Sequence, residues 1–336
     1  MSEKPIKIGL LGCGEWGKHY LRVFSGVEGV EMKAVIDPSP GRRDFARSLV
    51  SGIDAYDSLD TFLEAGEKCD ALVIATPATA HYAAVKKALL GGLDVLVEKP
   101  MTTSVKEAQE LCDIAKEKSR ILMVAHTFIY NSAVRALKAL LDGDRLGKMY
   151  YMRACRTHLG LIREDVNVVW DLAAHDVSIF AYLLGMWPDR IQAMGRCILA
   201  DNKEDACFIT LGFPSGVVAN VLLSWADANK ARVVEVVGSK ARIVFDDLNM
   251  QEPLRIFEKG VSIDTSGTPD FGKFKFYFRD GDIISPKIQI EEPLKTLRNE
   301  FIEALRTRTS PITDGVFGCE VVKVLCKVEE VLKAQR

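Results

Sequence analysis

Neither an excess of charge nor a long apolar run occurs in this chain of 336 residues. Its 44 Lys and Arg residues nearly balance its 46 Asp and Glu residues, so no net basic field is available for nucleic acid or an anionic membrane. No apolar run approaches the roughly 18 residues of a membrane-spanning helix. The segment from Met1 to Pro5 also lacks the apolar region of a secretory signal. We therefore expect a cytoplasmic protein.

Closely spaced cysteines are lacking as well. The eight cysteines are scattered, and no two have the spacing of roughly two to four residues that is typical of zinc sites. Without a secretory signal, reduced thiols that pack as small apolar side chains are expected. The sequence predicts no metal site.

The first third of the chain alternates strand-length apolar runs with amphipathic helical stretches, from Ile6–Leu11 to Ile121–Ala125. Such alternation, with strands rich in Val, Ile and Leu, is typical of a parallel sheet covered by helices on both faces. At roughly 150 residues per domain, the length suggests two domains. Residues 1–126 are predicted to form the first of them, a doubly wound α/β domain.

The pattern changes after about residue 130. The predicted elements there are a helix over residues 132–142, a strand over 149–155, a polar stretch over 156–167 and a helix over 171–184. Short strands without intervening helices then predict an antiparallel sheet over residues 191–290. Residues 127–336 are therefore predicted to form a second domain, whose two C-terminal helices are candidates to pack back on the first.

A strand with one apolar and one polar face is predicted over residues 271–279. Its apolar positions are Phe274, Phe276 and Phe278, and its polar positions are Lys273, Lys275 and Tyr277. The balanced net charge favours a packed sheet or a subunit interface over a nucleic-acid platform.

Three glycines mark the first strand–helix turn. Gly12, Gly14 and Gly17 form a G-x-G-x-x-G pattern directly after a strand. Glu15 and Trp16, which lie between them at the start of a helix, are also predicted to contact the cofactor. Gly12 would allow the tight turn, Gly14 the approach of a pyrophosphate, and Gly17 the packing of helix on strand. Because the helix start also offers free N–H groups to phosphates, a dinucleotide site is favoured over an empty turn.

The end of the second strand indicates which dinucleotide is bound. Asp37 lies 20 residues after Gly17, where a carboxylate would hold a ribose 2′-hydroxyl and repel a 2′-phosphate. NAD is therefore predicted. Arg42 and Arg43 follow closely and would soften that preference, which leaves NADP open.

The ends of the next strands contribute further candidates, because the carboxyl ends of parallel strands line the ligand crevice. Thr76 and Pro77 are predicted to contact the nicotinamide half of the dinucleotide. His81, which begins a helix four residues later, is either a cofactor contact or a helix residue without a ligand.

Glu98 and Lys99 end the following strand, before Pro100, and both are predicted to contact the cofactor. The ammonium of Lys99 would hydrogen-bond a substrate oxygen and stabilise a developing alkoxide, or it is a surface cation at a strand end. The Lys–Pro bond is a candidate for the cis isomer.

Taken in order, the glycine turn, the Asp after the second strand, an A-T-P-x-x-x-H segment and an E-K-P segment resemble the Gfo/Idh/MocA oxidoreductases. The resemblance covers essentially the whole chain, and E-K-P is its most specific element. It implies an N-terminal Rossmann domain that binds NAD, followed by an α/β domain with an open, mainly antiparallel sheet. That sheet would bind substrate and form the interfaces of a homodimer or homotetramer.

The family's catalytic signature D-x-x-x-H is matched by Asp171 and His175, which can share one helix face. The resemblance implies that His175 is the general base for a secondary alcohol and that Asp171 orients it. The alternatives are a helix N-cap and a core histidine. Many members carry a Gly-Gly pair before the Asp, whereas this chain has Asn-Val-Val-Trp at residues 167–170. The resemblance therefore implies a pocket wall that differs from that of the sugar-alcohol members.

The form W-D-L-A-x-H-D, with Ser224-Trp225 and Lys230-x-Arg232, is more similar to the branch that oxidises sugar nucleotides at the 3-hydroxyl. UDP-N-acetylglucosamine or its uronate is the substrate that this resemblance suggests. The residues predicted to bind substrate are Asn131, Arg163, Lys230 and Arg232. The three cations would meet a pyrophosphate or carboxylate, unless they are surface charges; His126 is a further pocket candidate.

The function expected is therefore an NAD(P)-dependent dehydrogenase of a sugar or sugar-nucleotide hydroxyl. His175 would take the hydroxyl proton, Lys99 would hydrogen-bond the oxygen and Asp171 would steady His175, while hydride passes to the nicotinamide. Two alternatives keep the fold: an NADPH-dependent reductase of an imine or C=C bond, and a non-catalytic NAD-binding regulator. The presence of the complete Lys–Asp–His set favours the dehydrogenase.

Overall fold

The computed structural model describes residues 4–66, 69–160, 162–163, 165–199, 201–263 and 276–335. The chain divides into two compact units: Met1–Thr127 with Glu292–Cys326, and Phe128–Glu291 with Lys327–Arg336. Most of the alternating strand predicted over residues 271–279 lies outside the described residues. None of the helices in the described ranges combines the length and the apolar character that crossing a bilayer requires.

The first unit is built on a parallel sheet. Its elements are β1 (Ile6–Leu11), α1 (Glu15–Phe24), β2 (Val30–Ile36), α2 (Pro40–Leu49), β3 (Asp54–Tyr56), α3 (Leu59–Glu64), β4 (Ala71–Ile74), α4 (Ala78–Leu90), β5 (Asp94–Val97), α5 (Val105–Glu117) and β6 (Leu122–Val124). The strand order is β3–β2–β1–β4–β5–β6, and every neighbouring pair is parallel. Because the order reverses between β1 and β4, the ligand crevice of such a sheet lies at the carboxyl ends of these two strands.

The second unit is built on an eight-stranded sheet. Its elements begin with a 3₁₀ turn (Thr127–Tyr130), α6 (Ser132–Asp142), β7 (Met149–Leu159), a π-helical turn (Val169–Ala173) and α7 (Ala174–Leu184). They continue with β8 (Arg190–Arg196), β9 (Ala206–Gly212), β10 (Val218–Ser224), β11 (Ala226–Gly238), β12 (Arg242–Asp246), β13 (Leu254–Phe257), β14 (Gly260–Ile263), β15 (Phe276–Arg279) and β16 (Ile283–Ile284). Two helices, α8 (Pro293–Thr307) and α9 (Gly315–Lys333), complete the chain.

The large sheet has the order β16–β13–β12–β11–β7–β10–β9–β8. Only β7 and β10 pair in parallel, and β14 and β15 form a separate hairpin. The predicted fold class, a Rossmann sheet followed by an α/β domain with a mainly antiparallel sheet, is confirmed.

Burial patterns follow from what covers each strand. Every residue of β4 and β5 is buried, as expected of parallel strands with helices on both faces. In β7, by contrast, Met152, Ala154 and Arg156 are buried while Tyr151 and Arg153 are exposed, so that this sheet buries one face only. In the first unit, α8 packs on α1 through a perpendicular contact of Phe24 and Phe301, whose ring centroids are 6.4 Å apart.

Three predicted boundaries were wrong. The strand predicted to end at residue 155 continues to Leu159, because pairing with β11 extends it through polar residues. The helix predicted to begin at Asp171 begins as a π-helical turn at Val169, and α4 begins at Ala78 rather than at His81. The short elements β3 and α3 were not predicted, since three and six residues give too little periodicity to detect.

Candidate active-site residues of the two units

The glycine turn between β1 and α1 has the shape of a phosphate cradle. Gly12 has a φ of +90°, and a Cβ there would lie 2.7 Å from the carbonyl oxygen of Ala75. A Cβ on Gly17 would lie 2.0 Å from the Gly12 oxygen, so neither position admits a side chain. At Gly14, in contrast, the nearest atom to an added Cβ is 3.8 Å away, on Arg42. The turn is therefore open where a pyrophosphate would approach and closed where helix and strand meet, which fits a dinucleotide.

Asp37, at the end of β2, is buried and ties the glycine turn to its own loop. Its Oδ2 accepts the N–H of Cys13 at 2.8 Å, and its Oδ1 accepts the N–H of Ser39 at 2.9 Å. Arg42 approaches Oδ2 at 3.5 Å, and Arg43 donates to the Asp37 carbonyl oxygen at 2.7 Å. Since a carboxylate offers about four acceptor positions, capacity remains for a ribose hydroxyl. Arg42 therefore lies beside this carboxylate, whereas Arg43 contacts the main chain of Asp37.

The segments after β4 and β5 are joined by His81, which lies in the first turn of α4. Its Nε2 is 2.9 Å from the Thr76 oxygen, and its Nδ1 is 2.8 Å from the Pro100 oxygen. These contacts give the histidine a role in fixing the two segments; its predicted cofactor contact stays a prediction. The hydroxyl of Thr76 is buried and has no hydrogen-bond partner among the described residues, while Pro77 is exposed.

Lys99 follows β5, and its peptide bond to Pro100 is cis. The preceding Glu98 is buried and accepts the hydroxyl of Tyr20 on α1 at 2.6 Å, together with the backbone N–H of Lys99 at 3.1 Å. Burial, the charge of Glu98 and this hydrogen bond raise the pKa of Tyr20. Glu98 therefore fixes the backbone that carries Lys99, a role that the spacing of the motif alone does not show.

His126 follows β6 and is almost completely buried. Neither ring nitrogen has a hydrogen-bond partner within the described ranges, and the ring contacts Phe317 edge-on with centroids 5.6 Å apart. Burial, with a smaller contribution from the positive charge of Lys99, lowers the pKa of His126 to about 3. The imidazole is therefore neutral at pH 7 and adds no positive charge near Lys99.

In the second unit, Asp171 lies within the π-helical turn, and single π turns often mark functional sites. Arg163 holds its Oδ1 at 3.4 Å and also binds Asp165 through two contacts of 2.8 and 2.5 Å. The hydrogen bond to Arg163 lowers the pKa of Asp165, and the same interaction raises the pKa of Arg163. Arg163, predicted to bind substrate, thus already connects two carboxylates of its own unit.

Asn167 anchors the start of this turn. No role had been predicted for it from the sequence. Its Oδ1 accepts the N–H of Trp170 at 3.3 Å, and its Nδ2 donates to Oε2 of Glu204 at 2.9 Å. The departure from the family's Gly-Gly pattern at this position was the available signal. It marked a different local structure without revealing the partner 37 residues away.

His175 lies in the first turn of α7, four residues after Asp171. Its ring meets that of Phe128 with centroids 4.9 Å apart and an interplanar angle of 62°. Ser178 donates its hydroxyl to the His175 carbonyl oxygen at 2.8 Å. The residue is half-buried, and the Nδ1 atom of its ring is buried; its role as the base stays a prediction.

Two of the predicted substrate residues meet on one carboxylate. Asn131 donates to Oδ1 of Asp247 at 3.2 Å, and Arg232 approaches Oδ2 of Asp247 at 3.3 Å. Asn131 also caps α6 by accepting the N–H of Ala133 at 2.9 Å. Lys230 is exposed on β11 and makes no ion pair among the described residues. The sequence therefore found two members of this cluster but not Asp247, which is 116 residues from Asn131.

The first unit thus presents an ammonium at Lys99 and an open phosphate cradle, and the second unit presents a histidine four residues after a carboxylate. Groups of these kinds are used in hydride transfer with proton removal. Within the described ranges, no group of three or more His, Cys, Asp or Glu residues could hold a metal ion.

Comparisons with known proteins agree with this chemistry. The model of the oxidoreductase family with an NAD-binding Rossmann fold matches residues 6–126, and that of the GFO/IDH/MocA C-terminal domain matches residues 134–244. The chain is similar to UDP-N-acetylglucosamine 3-dehydrogenase of Acidithiobacillus ferrooxidans, with 24% identity over 331 residues, which cover 98% of each chain. It is also similar to scyllo-inositol 2-dehydrogenase (NAD(+)) of Bacillus subtilis, with 27% identity over 80% of this chain and 81% of that protein.

Solved structures show the same fold. The WlbA dehydrogenase from Bordetella pertussis, in complex with NADH and UDP-GlcNAcA, matches with a TM-score of 0.81 at 19% identity and covers 99% of this chain and 98% of its own. Since the two family models together span most of the sequence, the chain belongs to the Gfo/Idh/MocA family of NAD-binding oxidoreductases, as its motifs indicated.

Proposed function

We propose that the protein oxidises a secondary hydroxyl of a sugar nucleotide, with the 3-hydroxyl of a UDP-N-acetylhexosamine or its uronate as the reacting group. The observation that carries this proposal is the support given to His175 in the second unit. The His175 ring packs on that of Phe128. His175 itself lies at the start of α7, one turn after Asp171, and Arg163 holds Asp171 in place. A general base needs this fixed orientation to act on a hydroxyl.

The residues that would hold NAD are those of the glycine turn, with Asp37 for a ribose hydroxyl and Thr76 toward the nicotinamide half. The predicted contacts of Glu15, Trp16, Pro77 and His81 belong to the same proposal. When bound, NAD supplies the hydride acceptor. Two features support this placement. There is space around a Cβ placed on Gly14, and the buried hydroxyl of Thr76 has no hydrogen-bond partner among the residues that the structure describes.

Proton removal is the task of the protein's own side chains. His175 would accept the hydroxyl proton as the carbon loses hydride, so that a carbonyl and an imidazolium are formed. Lys99 would donate a hydrogen bond to the oxygen and stabilise its developing negative charge. The neutral state of His126 supports this role, because a second cation would disfavour the charged ammonium. The proposal requires that Lys99 and His175 act on the same oxygen.

A sugar nucleotide is favoured over a free sugar by sequence similarity and by the cations on β11. The similarity to UDP-N-acetylglucosamine 3-dehydrogenase extends over nearly the whole chain. Lys230 is exposed, and Arg232 shares Asp247 with Asn131. A pyrophosphate would bind these two cations, whereas Arg163 already serves Asp165 and Asp171.

We also propose that the protein is a homo-oligomer that pairs through the uncovered face of its large sheet. Large apolar side chains continue in register across five strands of that face: Met194, Phe208, Leu222, Cys155 and Val233. Met194 is 70% exposed and Phe208 is 55% exposed. A second copy is the occupant that such a row fits, since a two-fold axis brings a patch onto its own equivalent.

A substrate panel tests the activity. NAD is mixed with purified protein and UDP-sugars, free aldoses or inositols, and NADH formation is followed by near-ultraviolet absorbance. We expect a signal with UDP-N-acetylglucosamine or its uronate that is lost in His175→Ala. A signal confined to inositols would reject the sugar-nucleotide assignment, and NAD binding without any turnover would favour the regulator.

A further inference from the structure

A buried ion pair joins β7 to the helix that carries His175. Arg156 donates from Nε to Oδ2 of Asp176 at 3.0 Å and from Nη2 to Oδ1 at 2.9 Å. The side chains of Arg156 and Asp176 are only 4% and 1% exposed. A planar two-point contact of this kind fixes both the distance and the orientation of its partners. Because Asp176 directly follows His175, the pair fixes the backbone at the proposed base.

The same guanidinium also reaches His175 through an aromatic ring. The Arg156 carbon Cζ lies 4.3 Å from the ring centroid of Phe128, in a cation–π contact. Phe128 in turn contacts the His175 ring with centroids 4.9 Å apart. One arginine therefore restrains the backbone of His175 through Asp176 and supports its ring through Phe128.

Stability alone is a weak explanation for this arrangement. A buried ion pair loses most of its Coulombic gain to desolvation, and a well-packed apolar pair of similar volume is often as stable. What the ion pair adds is a defined geometry without net charge. A neutral pair is also suited to the neighbourhood of a base, because it supports the ring without placing an unbalanced charge beside it.

We infer that Arg156, Asp176 and Phe128 are positioning residues that hold the imidazole of His175 in the orientation needed for proton removal. The inference rests on the proposed function for the role of His175 itself. From the sequence, Arg156 was predicted to lie in a polar stretch; the extension of β7 to Leu159 makes it part of a strand, from which its side chain reaches Asp176 on α7.

The first test needs no substrate. The protein is labelled with [ε1-¹³C]histidine, and the His175 resonance is assigned by its loss in His175→Gln. We expect Phe128→Leu to shift this resonance, because the ring current is removed, and Arg156→Lys to shift or broaden it, because a lysine cannot make the two-point contact.

Two matched controls lie in the same unit. Phe257 also packs under an arginine, with Cζ of Arg242 at 5.1 Å from the ring centroid. Arg153, like Arg156, lies on β7 and pairs with a carboxylate, that of Glu235 on β11, at 2.6 Å. Phe257→Leu and Arg153→Lys should leave the His175 resonance at its parent position. An unmoved resonance in both Phe128→Leu and Arg156→Lys would overturn the inference, even if turnover is never detected.

Kinetics with NAD and UDP-N-acetylglucosamine provide the second test. Phe128→Leu and Arg156→Lys should lower kcat by about 10²-fold and leave KM for NAD within about twofold. The isotope effect on kcat with substrate deuterated at the reacting carbon should rise, which loss of folded enzyme alone would not cause. If His175→Ala keeps the parent rate, the proposed function fails; if only His175→Ala is impaired, the positioning role fails.

Discussion

At the scale of single residues, the three glycines of the first turn are predicted to differ in what they tolerate. A Cβ added at Gly14 would lie no closer than 3.8 Å to any atom. Gly14→Ala should therefore lower the free energy of unfolding by about 1 kcal/mol or less, through the changed N-cap. Gly17→Ala places a Cβ 2.0 Å from a backbone oxygen and should cost about 3 kcal/mol. Urea unfolding measures both values. Calorimetric titration of Gly14→Ala should show NAD affinity reduced by at least about tenfold, and parent affinity would contradict the cradle.

A second residue-scale prediction concerns pH. The pKa of His126 is about 3 in the folded protein and about 6.5 in the unfolded chain. Between these values the unfolded state binds a proton that the folded state does not, so stability falls as the pH falls. Because of this histidine, the free energy of unfolding should be about 2 kcal/mol lower at about pH 5 than at about pH 7.

The variant His126→Leu should remove that portion of the acid destabilisation. The exposed His19 of the same unit serves as the control, and His19→Gln should keep the pH dependence of the parent. Urea titrations at several pH values make the comparison. Equal pH dependence of His126→Leu and the parent would show that the buried imidazole is protonated in the folded state.

Residue identities that depend on local backbone shape could be predicted from the sequence, whereas contacts between distant segments could not. Gly12 and Gly17 could be found because the strand–helix turn leaves no room for a side chain there, and Gly14 because a pyrophosphate would have to approach closely. Asp247 and Glu204 could not be found, because their partners Asn131 and Asn167 are 116 and 37 residues away and become neighbours only in the folded chain. The cations predicted to bind substrate could be found because their charge can be read from the sequence. The carboxylates that pair with them could not be identified in that way.

At the scale of secondary-structure elements, the long strands and helices were predicted well because their apolar periodicity is strong. The errors arose where tertiary pairing overrides it. Residues 156–158 are polar yet belong to β7, because β11 pairs with this end of the strand. The π-helical turn before α7 depends on side-chain hydrogen bonds of Asn167, which no periodicity encodes.

That turn yields an element-scale prediction. Asn167→Ala removes the bonds to Trp170 and Glu204 and should cost about 1–3 kcal/mol of unfolding free energy, since buried polar groups lose their partners. Asn220→Ala, on the exposed face of β10, should cost about 0.5 kcal/mol or less. Urea denaturation measures the free energy of unfolding of both variants. Similar costs would show that Asn167 does not stabilise the turn.

At the scale of the whole molecule, the uncovered sheet face predicts self-association. Phe208→Glu places a charge within the apolar row, twice in a two-fold dimer, and should raise the dimer dissociation constant at least about tenfold. Leu49→Glu, at an exposed position of α2, serves as the matched control and should not change it. Sedimentation velocity over a concentration series measures both, and an unchanged Phe208→Glu oligomer would assign the interface elsewhere.

The central claim is the proposal that Lys99 and His175 both take part in the oxidation of one hydroxyl. Single-turnover NADH formation with UDP-N-acetylglucosamine tests it in the parent, Lys99→Met, His175→Gln and the double variant. Each single change should lower the rate by at least about 10²-fold, and the double variant should be scarcely slower than the worse single one, because groups acting as a unit are not additive. Parent-like rates in either single variant, or fully multiplicative losses in the double variant, would contradict the claim.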